Sequence, residues 1–153
     1  MDLYQISFKL NGNEIDADVY PNEILLHVLR NRLGIKSPKS GCEKGDCGSC
    51  TIFMNGESVK SCLVLAIEAD GSYIETCEGL SLEKPSLLQE KFIEKNSFQC
   101  GYCAPGMVIS ATELLRSQKS FSKEEVQEAI AGNLCRCTGY TPIVDAMMEL
   151  SKE

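Results

Sequence analysis

Apolar and polar residues alternate twice near the start of the chain: Ile6, Phe8 and Leu10, then, past Asn11-Gly12-Asn13, Ile15, Ala17 and Val19. A period of two sets one group of side chains on one face of a strand, so two such runs joined by a turn predict a hairpin. The period then lengthens. Ile24, Leu25, Val28, Leu29 and Leu33 fall on one broad face of a helix, with Asn22 as the expected cap and Gly34 as the stop. Thr51 to Met54 and Ser58 to Leu63 flank an Asn55-Gly56 turn, and Ser72 to Cys77 reads as a last short strand. These elements predict a small mixed sheet packed on one helix, a sensible fold for roughly 80 residues.

From Pro85 the apolar spacing is helical. Leu87, Leu88, Phe92 and Ile93 mark one helix; Met107, Val108, Ala111, Leu114 and Leu115 mark a second that begins after Pro105. Ser122 and Glu125 have the form of a capping box leading into Val126, Ala129 and Ile130. Thr141-Pro142 opens a fourth helix carrying Ile143, Val144, Met147 and Leu150. The chain therefore divides into a sheet domain, residues 1–78, and a compact helical domain, residues 79–153, with EGLSLEK at 78–84 as the connection.

Composition changes this picture at one residue type. With 153 residues and 43% apolar side chains the chain can fold, and its formal charge of −7 argues against a nucleic-acid partner. No run approaches the roughly 20 apolar residues that span a bilayer, so no membrane is expected. Nine cysteines are far above background. Their number is odd and MDLYQISFKL has neither a basic leader nor a long apolar run, which predicts a reducing, cytoplasmic setting and cysteines acting as ligands.

Eight of them form two sets: C-x4-C-x2-C-x11-C at Cys42, Cys47, Cys50 and Cys62, and C-x2-C-x31-C-x-C at Cys100, Cys103, Cys135 and Cys137. The first spacing is that of plant-type [2Fe-2S] proteins. Gly41, Gly45 and Gly48 let a short loop wrap such a cluster and turn peptide N–H groups towards its sulfurs, with Cys62 arriving from the strand beyond the hairpin. Four thiolates also suit zinc. The second set is less diagnostic: Cys100-Gly-Tyr-Cys103 alone reads equally as a redox dithiol or half a zinc site. Paired with Cys135-Arg-Cys137 it gives four ligands near two helix N-termini, which suit an anionic cluster.

GCEKGDCGSC at 41–50, QCGYCAPGM at 99–107 and GNLCRCTGY at 132–140 resemble the signature motifs of the small iron-sulfur subunit of molybdenum hydroxylases, the xanthine dehydrogenase and aldehyde oxidoreductase family. The resemblance spans essentially the whole chain. It implies an α+β protein: an N-terminal β-grasp, plant-ferredoxin-like domain followed by a C-terminal four-helix [2Fe-2S]-binding domain. It further implies that Cys42, Cys47, Cys50 and Cys62 hold a distal cluster near the flavin. Cys100, Cys103, Cys135 and Cys137 would hold a proximal cluster near the molybdenum centre, and Gln99 would contact the pterin. A large subunit with the molybdenum-pterin cofactor and a medium subunit with FAD are the implied partners; that they are separate chains is expected because this one stops after the helical domain. The complex is expected to be xanthine dehydrogenase-like, with a nicotinate, other aromatic-heterocycle or aldehyde dehydrogenase, or a free two-cluster ferredoxin, as alternatives. No substrate site is expected on this chain.

The remaining singular residues receive plainer expectations. His27 should face solvent, Tyr102 and Tyr140 should pack around the proximal centre, and Met107, Met147 and Met148 should be core or interface residues. Lys36, Lys39 and Lys44 are either a solvated charge run or a patch facing an acidic flavin subunit. Cys77 should be a structural non-ligand. Glu43 and Ala104 stand where the family often has glycine and threonine, without removing a ligand.

Overall fold

The computed structural model describes residues 2–81 and 83–151, so Leu82, within the expected connection, lies outside the described residues. The N-terminal hairpin forms as its alternation requires: β1 (Tyr4–Leu10) pairs antiparallel with β2 (Asn13–Val19), and Ile6, Phe8 and Leu10 are buried. β3 (Thr51–Met54) and β4 (Glu57–Lys60) form the second hairpin, and β5 (Tyr73–Glu75) fits between the two, giving the order β2-β1-β5-β3-β4. β5 runs parallel to β1 and antiparallel to β3. The sheet is mixed, as the pattern predicts.

Two sequence expectations are corrected here. Asn22 is exposed and does not cap the first helix; the N-cap is Ile24, which has no side-chain capping bond. The backbone itself does the work: Ile24 bridges Leu65, Leu25 N donates to Val64 O at 2.9 Å, and Ala66 N donates to Glu23 O at 2.7 Å. The helix, α1 (Leu25–His27), is also shorter than predicted and widens into a π-helical turn, Val28–Arg32, before Gly34 stops it at φ +73°. Leu25, Val28 and Leu29 face the sheet core, while Leu26 turns to a separate cluster with Cys50 and Cys62. The second correction concerns Cys62. β4 ends at Lys60, and Cys62 lies on a short 3₁₀ turn, Ser61–Leu63, started by Ser61 N donating to Cys50 O.

Four helices follow: α2 (Leu87–Glu94), α3 (Ala104–Ser117), α4 (Lys123–Ile130) and α5 (Thr141–Met148). Ser122 and Glu125 form the expected capping box on α4, and Ser86 with Gln89 forms another on α2 that the sequence reading missed. Met107, Val108, Val126, Ile130, Ile143 and Met147 make the shared core. Phe92 and Phe98 meet edge to face, 5.1 Å between ring centres.

The two halves dock through α3. Glu113 accepts from Ser58 N at 2.8 Å and from Ser58 Oγ at 2.5 Å, locking α3 to β4. Arg116 pairs with Glu75 at 2.8 Å and lies 4.6 Å from the centre of the Phe53 ring, tying the same helix to β5 and β3. The start of the connection is equally fixed: the Glu78 carboxylate accepts from Lys36 N, Ser37 N, Ser37 Oγ and Thr76 Oγ1.

Candidate metal centres

The loop after Gly34 carries the first cysteines and has little regular structure, so its shape rests on glycine and on hydrogen bonds. A Cβ on Gly41 would stand 2.8 Å from Cys47 Sγ, and one on Gly45, at φ +87°, 2.7 Å from Leu63 Cδ1. Only glycine allows the loop to close this tightly around its sulfurs. Cys47 N points at Cys42 Sγ, 3.4 Å away. With Lys44 and Cys47 backbone N–H groups directed at it, the Cys42 thiol is lowered to about 7. Cys50 and Cys62 are buried side by side beneath Leu26, and burial with the neighbouring Cys50 sulfur raises Cys62 to about 11.

The second set is built from two chain segments. Cys103 is the N-cap residue of α3, with Pro105 in the first turn, while Cys137 precedes α5 by a turn ending at Tyr140, φ +69°. Cys100 and Cys137 lie at the surface, sulfurs 3.6 Å apart. Cys103 is buried, and burial together with the neighbouring Cys135 sulfur raises it to about 12. For Cys135 burial opposes the charge, yet the Thr138 hydroxyl at 3.1 Å and the Cys137 and Thr138 backbones outweigh it and lower the thiol. Tyr140 Oη accepts from Cys135 N at 3.0 Å, so this tyrosine braces the segment as expected. Tyr102 instead reaches back to the sheet domain, donating to Ser40 O at 2.7 Å.

Gln99 is exposed and donates from Nε2 to Cys137 O at 3.1 Å; among the described residues its carbonyl oxygen and second N–H meet no other partner, so both can face another molecule. His27, expected in solvent, is half exposed but pairs with Glu43 at 3.0 Å, and Glu43 also accepts from Ser40 Oγ. Glu43 takes φ +53°, the backbone region that favours glycine. Cys77 sits apart from both sets, packed against the helical core, and burial raises its thiol. It also lines a cleft of about 410 Å³ with Gln89, Phe92, Phe98 and Pro105. Lys44 pairs with Asp46, and Lys36 and Lys39 donate to carbonyls of their own domain.

Contacts that the sequence reading missed hold the two sets in register. Leu134 N donates to Cys47 O at 2.9 Å. Asn133, 1% exposed, accepts from Ser110 Oγ at 2.7 Å and donates to Gly48 O at 3.1 Å. Gly48 O also accepts from Thr51 N and Thr51 Oγ1. A Cβ on Gly48 would stand 2.3 Å from Gly132 O, and one on Gly106 of α3 2.3 Å from Gly48 O. Both glycines are required for close approach of backbone to backbone.

The donors fit iron-sulfur clusters. Among the described residues no three His, Cys, Asp or Glu side chains converge on a single ion position. The sulfurs instead associate in pairs, Cys42 with Cys47, Cys50 with Cys62, Cys103 with Cys135 and Cys100 with Cys137. Two thiolates for each of two irons is the demand of a [2Fe-2S] cluster. Residues 8–80 match the family described as 2Fe-2S iron-sulfur cluster binding domain, and residues 76–148 match the [2Fe-2S] binding domain family. The chain thus carries two [2Fe-2S]-binding domains.

Relatives extend the match beyond single domains. The chain is 46% identical to the nicotinate dehydrogenase small FeS subunit of Eubacterium barkeri, over 94% of this chain and 92% of that one. It is 47% identical to the nicotine 6-hydroxylase small subunit of Paenarthrobacter nicotinovorans, over 97% and 90%. A subunit of a probable xanthine dehydrogenase of Bacillus subtilis is less similar, 37% over 97% and 86%. Among solved structures, quinoline 2-oxidoreductase from Pseudomonas putida 86 superposes with a TM-score of 0.95 at 43% identity, over 99% of this chain and 94% of that chain. Similarity that runs through both domains in order leaves no part of the fold to another origin: the chain belongs to the small [2Fe-2S] subunits of the molybdenum-hydroxylase family, the electron-transfer and non-catalytic component of a multisubunit oxidoreductase.

Proposed function

We propose that the chain relays electrons from a molybdenum-pterin subunit to an FAD subunit of a dehydrogenase acting on a pyridine-type nitrogen heterocycle. Cys100, Cys103, Cys135 and Cys137 hold the entry centre, and Cys42, Cys47, Cys50 and Cys62 the exit centre. The clusters, when bound, supply one-electron carriers; the protein supplies thiolates, N–H donors to sulfur and a fixed spacing. Gln99, exposed beside Cys100, offers a donor and an acceptor to the pterin. Gly41 leaves room for Cys47 Sγ, Gly45 lies against Leu63, and Gly48 lets the exit loop approach Gly132 and Asn133 of the other domain.

The single observation that supports a series path is the hydrogen bond from Leu134 N to Cys47 O, which joins the two cysteine-bearing loops directly; the order of the two centres follows the family resemblance. Its test uses the assembled complex. In a Cys47→Ser variant whose exit-centre signal is lost, substrate should still reduce the entry centre in a rapid anaerobic mix while flavin reduction slows or stops. Flavin reduction at the parent rate would place the Cys42 set off the route.

For the substrate, similarity to nicotinate, nicotine and quinoline enzymes supports a pyridine-ring heterocycle over the xanthine-like reading. Anaerobic mixing with nicotinate, quinoline, xanthine and a simple aldehyde decides it. Reduction by a pyridine-ring compound is expected, and reduction by xanthine or the aldehyde alone would overturn it.

A further inference from the structure

Lys60 is the last residue of β4 and pairs across the hairpin with Thr51, the residue after Cys50. It is half buried at the seam between the domains. Its Nζ donates to Thr51 Oγ1 at 2.9 Å and to Gly132 O at 3.1 Å, both uncharged oxygens. Thr51 Oγ1 donates in turn to Gly48 O at 2.6 Å. The ammonium thus ends a hydrogen-bond chain that runs through the exit loop to Asn133 and Ser110. Lys44, on the outer rim of that loop, pairs directly with Asp46, while the carboxylate nearest Lys60, Glu113, is engaged by Ser58 N and Oγ.

We infer that the Lys60 ammonium raises the reduction potential of the centre held by Cys42, Cys47, Cys50 and Cys62, and so draws the electron across the domain seam towards it. The inference rests on the ligand assignment proposed above. Reduction adds one negative charge to an already anionic site, and a fixed positive charge in a half-buried seam stabilises that state more than the oxidised one. Lys60 adjoins the Cys42 set through Thr51, which follows Cys50, and through Cys62 two residues on, whereas its contact with the other domain is the Gly132 carbonyl, three residues before Cys135.

The experiment is a redox titration of the full chain loaded with both clusters, followed by electron paramagnetic resonance, for the parent and the Lys60→Met, Lys60→Gln and Lys60→Arg variants. A Cys47→Ala control, which offers no replacement ligand atom, identifies which signal belongs to the exit centre; if it removes neither signal, the ligand assignment itself fails, independently of Lys60. In the Met and Gln variants the reduced-to-oxidised ratio of the exit centre at fixed ambient potential should fall by on the order of tenfold. The entry centre should shift less, and Arg should restore the parent behaviour. An unchanged exit centre, or equal shifts in both centres, overturns the proposal. So does loss of the exit cluster in both neutral variants but not in Arg, which would make Lys60 an assembly residue.

Discussion

At the scale of single residues, Glu78 illustrates how one carboxylate can fix a chain junction. Burial disfavours its charge, but the Ser37 hydroxyl, Thr76 hydroxyl and Ser37 N–H overcome that and hold its pKa below the usual range. A depressed folded-state pKa gives stability that is complete above the unfolded value of about 4.3 and is lost as pH falls through the lowered folded value. Glu78→Gln should therefore cost about 1 kcal/mol near neutral pH, the difference between hydrogen bonds to a charged and to a neutral acceptor, reduced by solvent screening of a half-exposed group. The parent's advantage should shrink as acid is added, and urea midpoints across the acidic range would reveal it; a constant difference at every pH would contradict the account. Cys77 gives a second residue-scale prediction. Its thiol is raised by burial and is separate from both cysteine sets, so Cys77→Ser should keep both reduced-state signals and lose only some stability to the buried hydroxyl. Disappearance of either signal in a folded variant would mean that the cysteines had been divided wrongly.

At the scale of elements, α3 meets the exit loop where neither tolerates a methyl group. Alanine is better than glycine in a helix by about 1 kcal/mol, so Gly106→Ala would stabilise an isolated α3. Here its Cβ would stand 2.3 Å from Gly48 O, a backbone atom that cannot swing away. Overpacking of about 1–3 kcal/mol should win, and thermal unfolding should show a net loss, with a broadened exit-centre signal as the loop is displaced. A higher melting temperature with an unaltered signal would refute this. Sequence reading reaches such elements unequally. The hairpins and the α4 capping box were legible because alternation and Ser122-Glu125 are local patterns. The motifs at Cys42–Cys50, Cys100–Cys103 and Cys135–Cys137 are local patterns too, whereas joining them into sets spans longer gaps and follows the family resemblance. Asn22 misled because local chemistry was allowed to decide an end that the Ile24–Leu65 bridge decides instead. Lys60 and Asn133 were missed since their partners lie 72 and 85 residues away, beyond any periodicity.

For the whole molecule, two paired sulfur sets predict about four iron and four sulfide per chain, with two distinguishable paramagnetic centres on reduction. Two zinc ions and no sulfide in anaerobically prepared protein would end the iron-sulfur account. Among the described residues no helix is long and apolar enough to cross a membrane. The lock of Gly48 beneath Gly106 and Asn133 bears on how such proteins can be rebuilt. Each domain resembles a portable module, matched by a family of its own. Yet the second module's buried Asn133 amide is satisfied by the Gly48 carbonyl of the first module's loop, and the second module's helix opens a notch only that loop fills. A chimaera that grafts a foreign ferredoxin-type sheet onto this helical half inherits an unfilled notch and a stranded buried amide. Recombination between relatives should therefore succeed when Gly48, Gly106 and Asn133 travel together, whichever side of the seam the crossover falls on.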